Sequence, residues 1–121
     1  GSAYILDGSS EIITTSGYKF YLSRKQVIPE TFTLHQNFPN PFNPVTNISY
    51  DLPKDSDVRL IIYDMLGNQI TTLVNTAQQA GFRVVRWDGT DSFGIDVSAG
   101  VYLYQIDAGE FVQTRKMVLL K

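Results

Sequence analysis

A chain of 121 residues, 43% hydrophobic and 12% aromatic, with a formal net charge of −2 and no cysteine, has the makings of one globular domain with an attached piece. The slightly acidic balance and the lack of a clustered Lys/Arg face argue against nucleic acid and give no support to a membrane surface as partner. No apolar run approaches the roughly 18 residues that a spanning helix needs, so no membrane insertion is expected, and the missing cysteines remove disulfides, thiolate chemistry and Cys-ligated zinc.

Gly1-Ser2, with no Met ahead of it, reads as a cloning remnant in front of an excised fragment. From Ala3 to Leu22, aromatic and β-branched runs are separated by Asp7-Gly8-Ser9-Ser10 and Ser16-Gly17. This predicts a short antiparallel β meander, marginal by itself. It is either the end of a preceding domain or an extra layer on this one. Ser23 to Thr33, polar and carrying Pro29, is the expected linker and the expected place of proteolytic processing, because exposed linkers offer unpaired backbone. Residues 1–31 are thus assigned to N-terminal strands and linker, and 32–121 to the domain proper.

Gln36 to Thr46, QNFPNPFNPVT, holds three of the five prolines, three asparagines, and Phe38 and Phe42 as its only apolar bulk. Each proline fixes its own φ and pushes the residue before it toward extended backbone, so the stretch is neither helix nor central strand. It reads as a stiff lead-in whose rings dock on the strands C-terminal to it.

Beyond it the period is two. Ile48, Tyr50 and Leu52 alternate with polar residues, Pro53 to Ser56 turns the chain, and Val58, Leu60 and Ile62 form the next apolar set. Leu66-Gly67-Asn68 separates that strand from Gln69 to Val74, a hairpin with Gly67 at the bend. Asn75 to Gly81 is polar and reads as a connection. Phe82 to Trp87 resumes strand character, Asp88 to Gly94 is a loop, and Val101 to Ala108 is a strand with Tyr102, Tyr104 and Ile106 on one face. A turn around Gly109 leads into Phe111 to Leu120. About seven short strands with no convincing helix predict an all-β fold, an immunoglobulin-like antiparallel β-sandwich, over a small closed barrel. Trp87, the only tryptophan, is in phase with Val85 and is expected to plug the core.

The candidate chemistry is thin. His35 is the only histidine, which leaves any histidine base or multi-histidine metal site without partners. The loop WDGTDSFGID offers Asp88, Asp91 and Asp96 to a calcium ion, but the spacing does not fit the D-x-[DN]-x-[DN]-G loop and no Glu closes it. The plainer reading has Asp88 and Asp91 bonding their own backbone, with Gly89 and Gly94 at special φ. Asp55 and Asp57 flank a turn and make no glycosidase pair without a cleft between them. Tyr63, Tyr102 and Tyr104 are candidates for a sugar-binding face, though tyrosines at period two more often pack in the core. No G-x-S-x-G or P-loop is present. Neither enzyme activity nor a cofactor is expected.

Taken in order, LHQNFPNPFNPVTNISYDLP, VRLIIYDMLGNQITTLV, AGFRVVRWDGTDSFG and SAGVYLYQIDAGEFVQTRKMVLLK resemble the type IX secretion C-terminal sorting domain, the Por secretion tail, from about Phe32 to Lys121. Ala99 stands where many members have Ser. The immunoglobulin-like module of flagellar-hook scaffolding proteins resembles the hairpin and WDG-x-D portion, but does not usually combine the proline-rich lead-in with the basic C-terminal end. The resemblance implies a non-catalytic domain that directs a covalently linked upstream cargo through the outer-membrane type IX translocon, to the medium or the cell surface. Shuttle and sortase components are the further partners, and the domain is cut off on the way. Asn40, Pro41, Phe42, Gly67, Gly109 and the strand Lys116, Met117, Val118, Leu119, Leu120 and Lys121 match the motifs tied to recognition and fold; Gly67 and Gly109 have a plain reading as turn residues. The alternative function is an extracellular adhesion or carbohydrate-binding module.

The closing RKMVLLK is apolar on both faces and bracketed by Arg115, Lys116 and Lys121. At a sheet edge, its backbone would invite strand addition by a partner.

Overall fold

In the computed structural model, which describes residues 27–121, the period-two runs are strands. β1 (Thr33–Leu34), β2 (Thr46–Leu52) and β5 (Gly81–Trp87) form one antiparallel sheet in that order. The other sheet runs β4 (Gln69–Gln78), β3 (Ser56–Asp64), β6 (Gly100–Ala108), β7 (Phe111–Leu119). The meander expected over Ala3 to Leu22 lies outside the described residues.

Alternation sets which face each strand buries. Ile48, Tyr50 and Leu52 from the first sheet meet Val58, Leu60, Ile62, Tyr104, Ile106, Met117 and Leu119 from the second in one core. Fully burying such a side chain is worth about 1.5–3 kcal/mol, and this layer is what holds the sheets together. Trp87 is 1% exposed, between the sheets as expected. Tyr102 and Tyr104 are buried in the same layer, so neither presents a face to a sugar.

One strand runs well past the limit read from sequence. β4 continues through Asn75 to Gln78, paired with Ser56 to Arg59 of β3, where the polar composition suggests a connection. The strand sits at the sheet edge, and a polar edge strand needs no apolar alternation to keep its ladder; polar side chains there also deter pairing with other chains. The link to β5 then shrinks to Gln79-Ala80, and the exposed Asp55 accepts the Ala80 N–H at 2.9 Å. β6 runs to Ala108, which pairs with Phe111, leaving Gly109-Glu110 as a two-residue turn with Gly109 at φ +67°.

The strand directions give the sandwich two distinct ends. The turns at 53–55, 79–80 and 109–110 lie at the end where the chain enters, with Phe32 stacked on Phe111 at 5.3 Å. The β3–β4 turn, the 88–99 loop, the proline-rich segment and the end of β7 lie at the other.

Candidate recognition site

The proline-rich segment is bent, not extended, and it lies along the outer edge of β7. The Phe42 N–H donates to Val118 O at 2.9 Å and the Leu120 N–H to Phe42 O at 2.8 Å, a short parallel pairing. Asn40 Oδ1 takes the Val118 N–H at 3.0 Å. Gln36 Nε2 donates to Lys116 O at 2.8 Å, and Arg115 Nε to Leu34 O at 2.6 Å. The C-terminal half of the β7 edge, read from sequence as open to strand addition, is therefore occupied by the chain's own lead-in. An unpaired edge is a liability that folds cover in this way.

Only one of the two phenylalanines docks. Phe42 is 1% exposed and its ring lies 5.7 Å from Trp87, while Phe38 is 77% exposed. The reason is register. Phe38 pairs with Asn47, cross-strand partners share a face, and Asn47 is on the solvent face of β2, between buried Thr46 and Ile48.

A polar network fixes the lead-in from beneath. The Tyr104 hydroxyl donates to His35 O at 2.6 Å and accepts the Asn37 N–H at 2.9 Å. Asn37 Nδ2 donates to Thr46 Oγ1 at 3.0 Å, and that hydroxyl donates to Pro39 O at 2.9 Å. Burial pushes the Tyr104 pKa up, partly offset by the Asn37 N–H and the nearby Arg115 charge, so the hydroxyl keeps its proton for His35. Asn37 and Thr46 are buried, and buried polar groups are stable only when bonded. The sequence reading gave no role to Gln36, Asn37 or Thr46, and placed Arg115 only in the basic bracket of the last strand. The signal available was two small polar residues, Asn37 and Thr46, bracketing the prolines.

Of the motif residues, Phe42, Met117 and Leu119 are core, Val118 is half-buried on the outer face, and Asn40, Pro41, Lys116, Leu120 and Lys121 are exposed. Gly67 and Gly109 are turn residues with φ of +88° and +67° and open space where a Cβ would stand. His35 Nε2 lies 3.0 Å from Asp51 Oδ2 in an exposed pair.

The two loops at this end are closed by aspartates. Asp64 Oδ1 accepts the N–H of Leu66 at 2.9 Å and of Asn68 at 2.8 Å, with Asn68 Nδ2 on Oδ2 at 3.0 Å. The Asn68 side chain, then its backbone N–H, holds the Asp64 pKa below the ordinary carboxylate value. A pKa depressed by folding stabilises the fold above the unfolded value, and that stabilisation is lost as pH falls through the folded one, so acid loosens this turn. Asp91 Oδ1 accepts the N–H of Phe93 at 2.9 Å and of Ile95 at 3.0 Å, and Asp88 Oδ1 takes the Thr90 hydroxyl at 2.6 Å and its N–H at 3.2 Å. Gly89 and Gly94 have φ of +78° and +80°. The carboxylates thus serve their own loop. Melting curves in millimolar calcium and in chelator should superimpose; a micromolar site on the native state would add roughly 4 kcal/mol, and a shift of several degrees would revive the metal reading.

The architecture defines an immunoglobulin-like two-sheet domain whose lead-in seals its own last strand. Residues 42–110 match the FlgD Ig-like domain family, and the chain belongs to that family. No curated protein matches the sequence. Among solved structures, it is similar to dimeric latent PorU of Porphyromonas gingivalis at 21% identity and TM-score 0.58, covering 74% of this chain and 9% of that one. It is similar to PorZ of the same organism, described as an essential bacterial surface component of the type-IX secretion system, at 16% identity and TM-score 0.52, covering 73% and 11%. FlgD of P. aeruginosa follows at 27% identity and TM-score 0.49, covering 61% and 57%. The chain thus spans about a tenth of the PorU and PorZ chains, and the likeness to them is one of fold.

Proposed function

We propose that residues 32–121 are a C-terminal sorting domain of type IX secretion, non-catalytic, that carries an upstream cargo across the outer membrane to the medium or the cell surface. The supporting observation is the pairing of its two ends. The family match covers 42–110 and leaves out most of the proline-rich lead-in and all of β7, the two segments whose combination the flagellar modules do not usually share. In the structure these segments bind each other, Asn40 and Phe42 against Val118 and Leu120. Together they make one composite surface that the translocon, shuttle or sortase reads on the folded domain. The fold held in common with PorZ is consistent with this reading. Processing falls between Ser23 and Thr33, ahead of the buried Leu34.

Fused behind a signal peptide and a fluorescent reporter, the full chain should send the reporter to the medium or surface of a host with type IX machinery. A reporter held in the periplasm while an established tail exports would sink the reading. The same fusion tests the basic end. Lys116→Glu with Lys121→Glu should leave folding nearly intact, since exposed charges are worth under about 1 kcal/mol, and should impair export. Unchanged export by the folded double variant removes both lysines from recognition.

A further inference from the structure

The far end of the sandwich presents Met65, Leu66, Phe93, Ile95 and Leu120 to solvent, with Leu66 88% and Phe93 85% exposed, whereas beside the turns at the opposite end Phe82 and Val112 are 63% and 56% exposed. Loose loops would give this no meaning, but these loops are built. Asp64 and Asp91 each accept two backbone N–H groups from within the loops that carry the apolar side chains. The second loop is also tied to the strand that leaves the first, the Ser92 N–H donating to Ile70 O of β4 at 3.2 Å, and is closed by Trp87 Nε1 on Thr90 O at 2.8 Å. Rigid apolar tips lose little freedom on being gripped, which is what a docking element needs, and large apolar side chains exposed together at one end of a domain mark an interaction surface.

Charge selects the occupant. The loop segments 64–70 and 88–99 contain Asp64, Asp88, Asp91 and Asp96 and neither Lys nor Arg, and the one basic residue adjoining the patch in sequence is Lys121, next to Leu120. An anionic lipid or polysaccharide surface would be repelled, while a protein pocket with an apolar floor and a basic rim is complementary. Position agrees with this, because Phe32 and β1 enter the sandwich at the opposite end from the tips. We infer that this end is where a protein of the export machinery grips the domain, Leu66 and Phe93 filling an apolar pocket ringed by Lys or Arg. The inference rests on the secretion reading above.

The reporter fusion of the full chain is the probe. Leu66→Ser with Phe93→Ser should melt at the parent's midpoint and export about tenfold less or worse, the size expected when buried anchors of an interface are lost. Met65→Thr with Ile95→Thr is the second variant and should act in the same direction. Phe82→Ser with Val84→Thr, exposed apolar residues on β5, should export as the parent does, and Asp96→Lys should export less. Export of either folded tip variant at the parent's level overturns the inference and leaves the secretion reading standing; failure of the parent fusion removes both. An equal loss in the β5 control, or undiminished export by Asp96→Lys, also overturns it. So does tip-dependent sedimentation of the purified chain with phosphatidylcholine vesicles, which would make the surface a lipid site.

Discussion

Replacing Trp87 by alanine should cost the domain roughly 3–5 kcal/mol, the usual range for emptying a buried aromatic site. The indole is 1% exposed at the end of β5. It lies 5.5 Å from Tyr102 at an interplanar angle of 73° and 5.7 Å from Phe42 at 56°, geometries that add to simple burial. Its Nε1–H also closes the adjoining loop through Thr90 O. A domain of this size is stable by only about 5–15 kcal/mol, so the substitution removes a large share. Urea unfolding followed by circular dichroism measures it, since the variant has lost the only tryptophan. Trp87→Phe keeps most of the ring contacts but orphans Thr90 O, and should cost less. A loss under about 1 kcal/mol for the alanine variant would mean that the site collapses without a cavity, against the packing described.

What the sequence made legible was whatever obeys a short period. β2 and β6 alternate strictly, β3 does so as far as Leu60 before Ile61 and Ile62 are buried in succession, and Trp87, Tyr104 and Ile106 lie where alternation puts them. β4 past Val74 was not legible because an edge strand with both faces wet leaves no apolar signature. The lead-in was only half legible. Its prolines excluded helix and central strand, but the choice of Phe42 over Phe38 as anchor depends on pairing with Asn47 and with Val118, and the second is a contact across most of the domain that no local pattern encodes. For the same reason the β7 edge read as open when Asn40, 78 residues upstream, covers it. The loop aspartates were the reverse case: Asp88 and Asp91 beside Gly89 and Gly94 announce turns that bond their own backbone, and the hydrogen bonds agree with that pattern. Asp64, near a turn glycine in the same way, is harder to see, because Gly67 accounts for the bend by itself.

Truncating Phe42 to alanine should cost about as much as truncating Trp87, roughly 3–5 kcal/mol, with a different footprint. Its ring is the anchor that holds the lead-in against the core, and Asn40 to Phe42 in turn cover Val118 and Leu120. Without the anchor, the amides of Val118 and Leu120 should lose hydrogen-exchange protection, while those of Met117 and Leu119, which alternate toward β6, should fall only with global stability. The uncovered edge offers unpaired N–H and C=O groups to a second molecule, so the variant should also self-associate with rising concentration. Phe38→Ala, on an exposed ring in the same segment, should stay within about 0.5 kcal/mol of the parent. Phe42 and Trp87 touch, so their double variant should lose less than the sum of the singles, by a coupling of about 0.5–1.5 kcal/mol. If Val118 and Leu120 exchange no faster than their neighbours in Phe42→Ala, the ring is not what seals the edge. The asparagine and glutamine contacts to Val118 and Lys116 would then hold the lead-in by themselves.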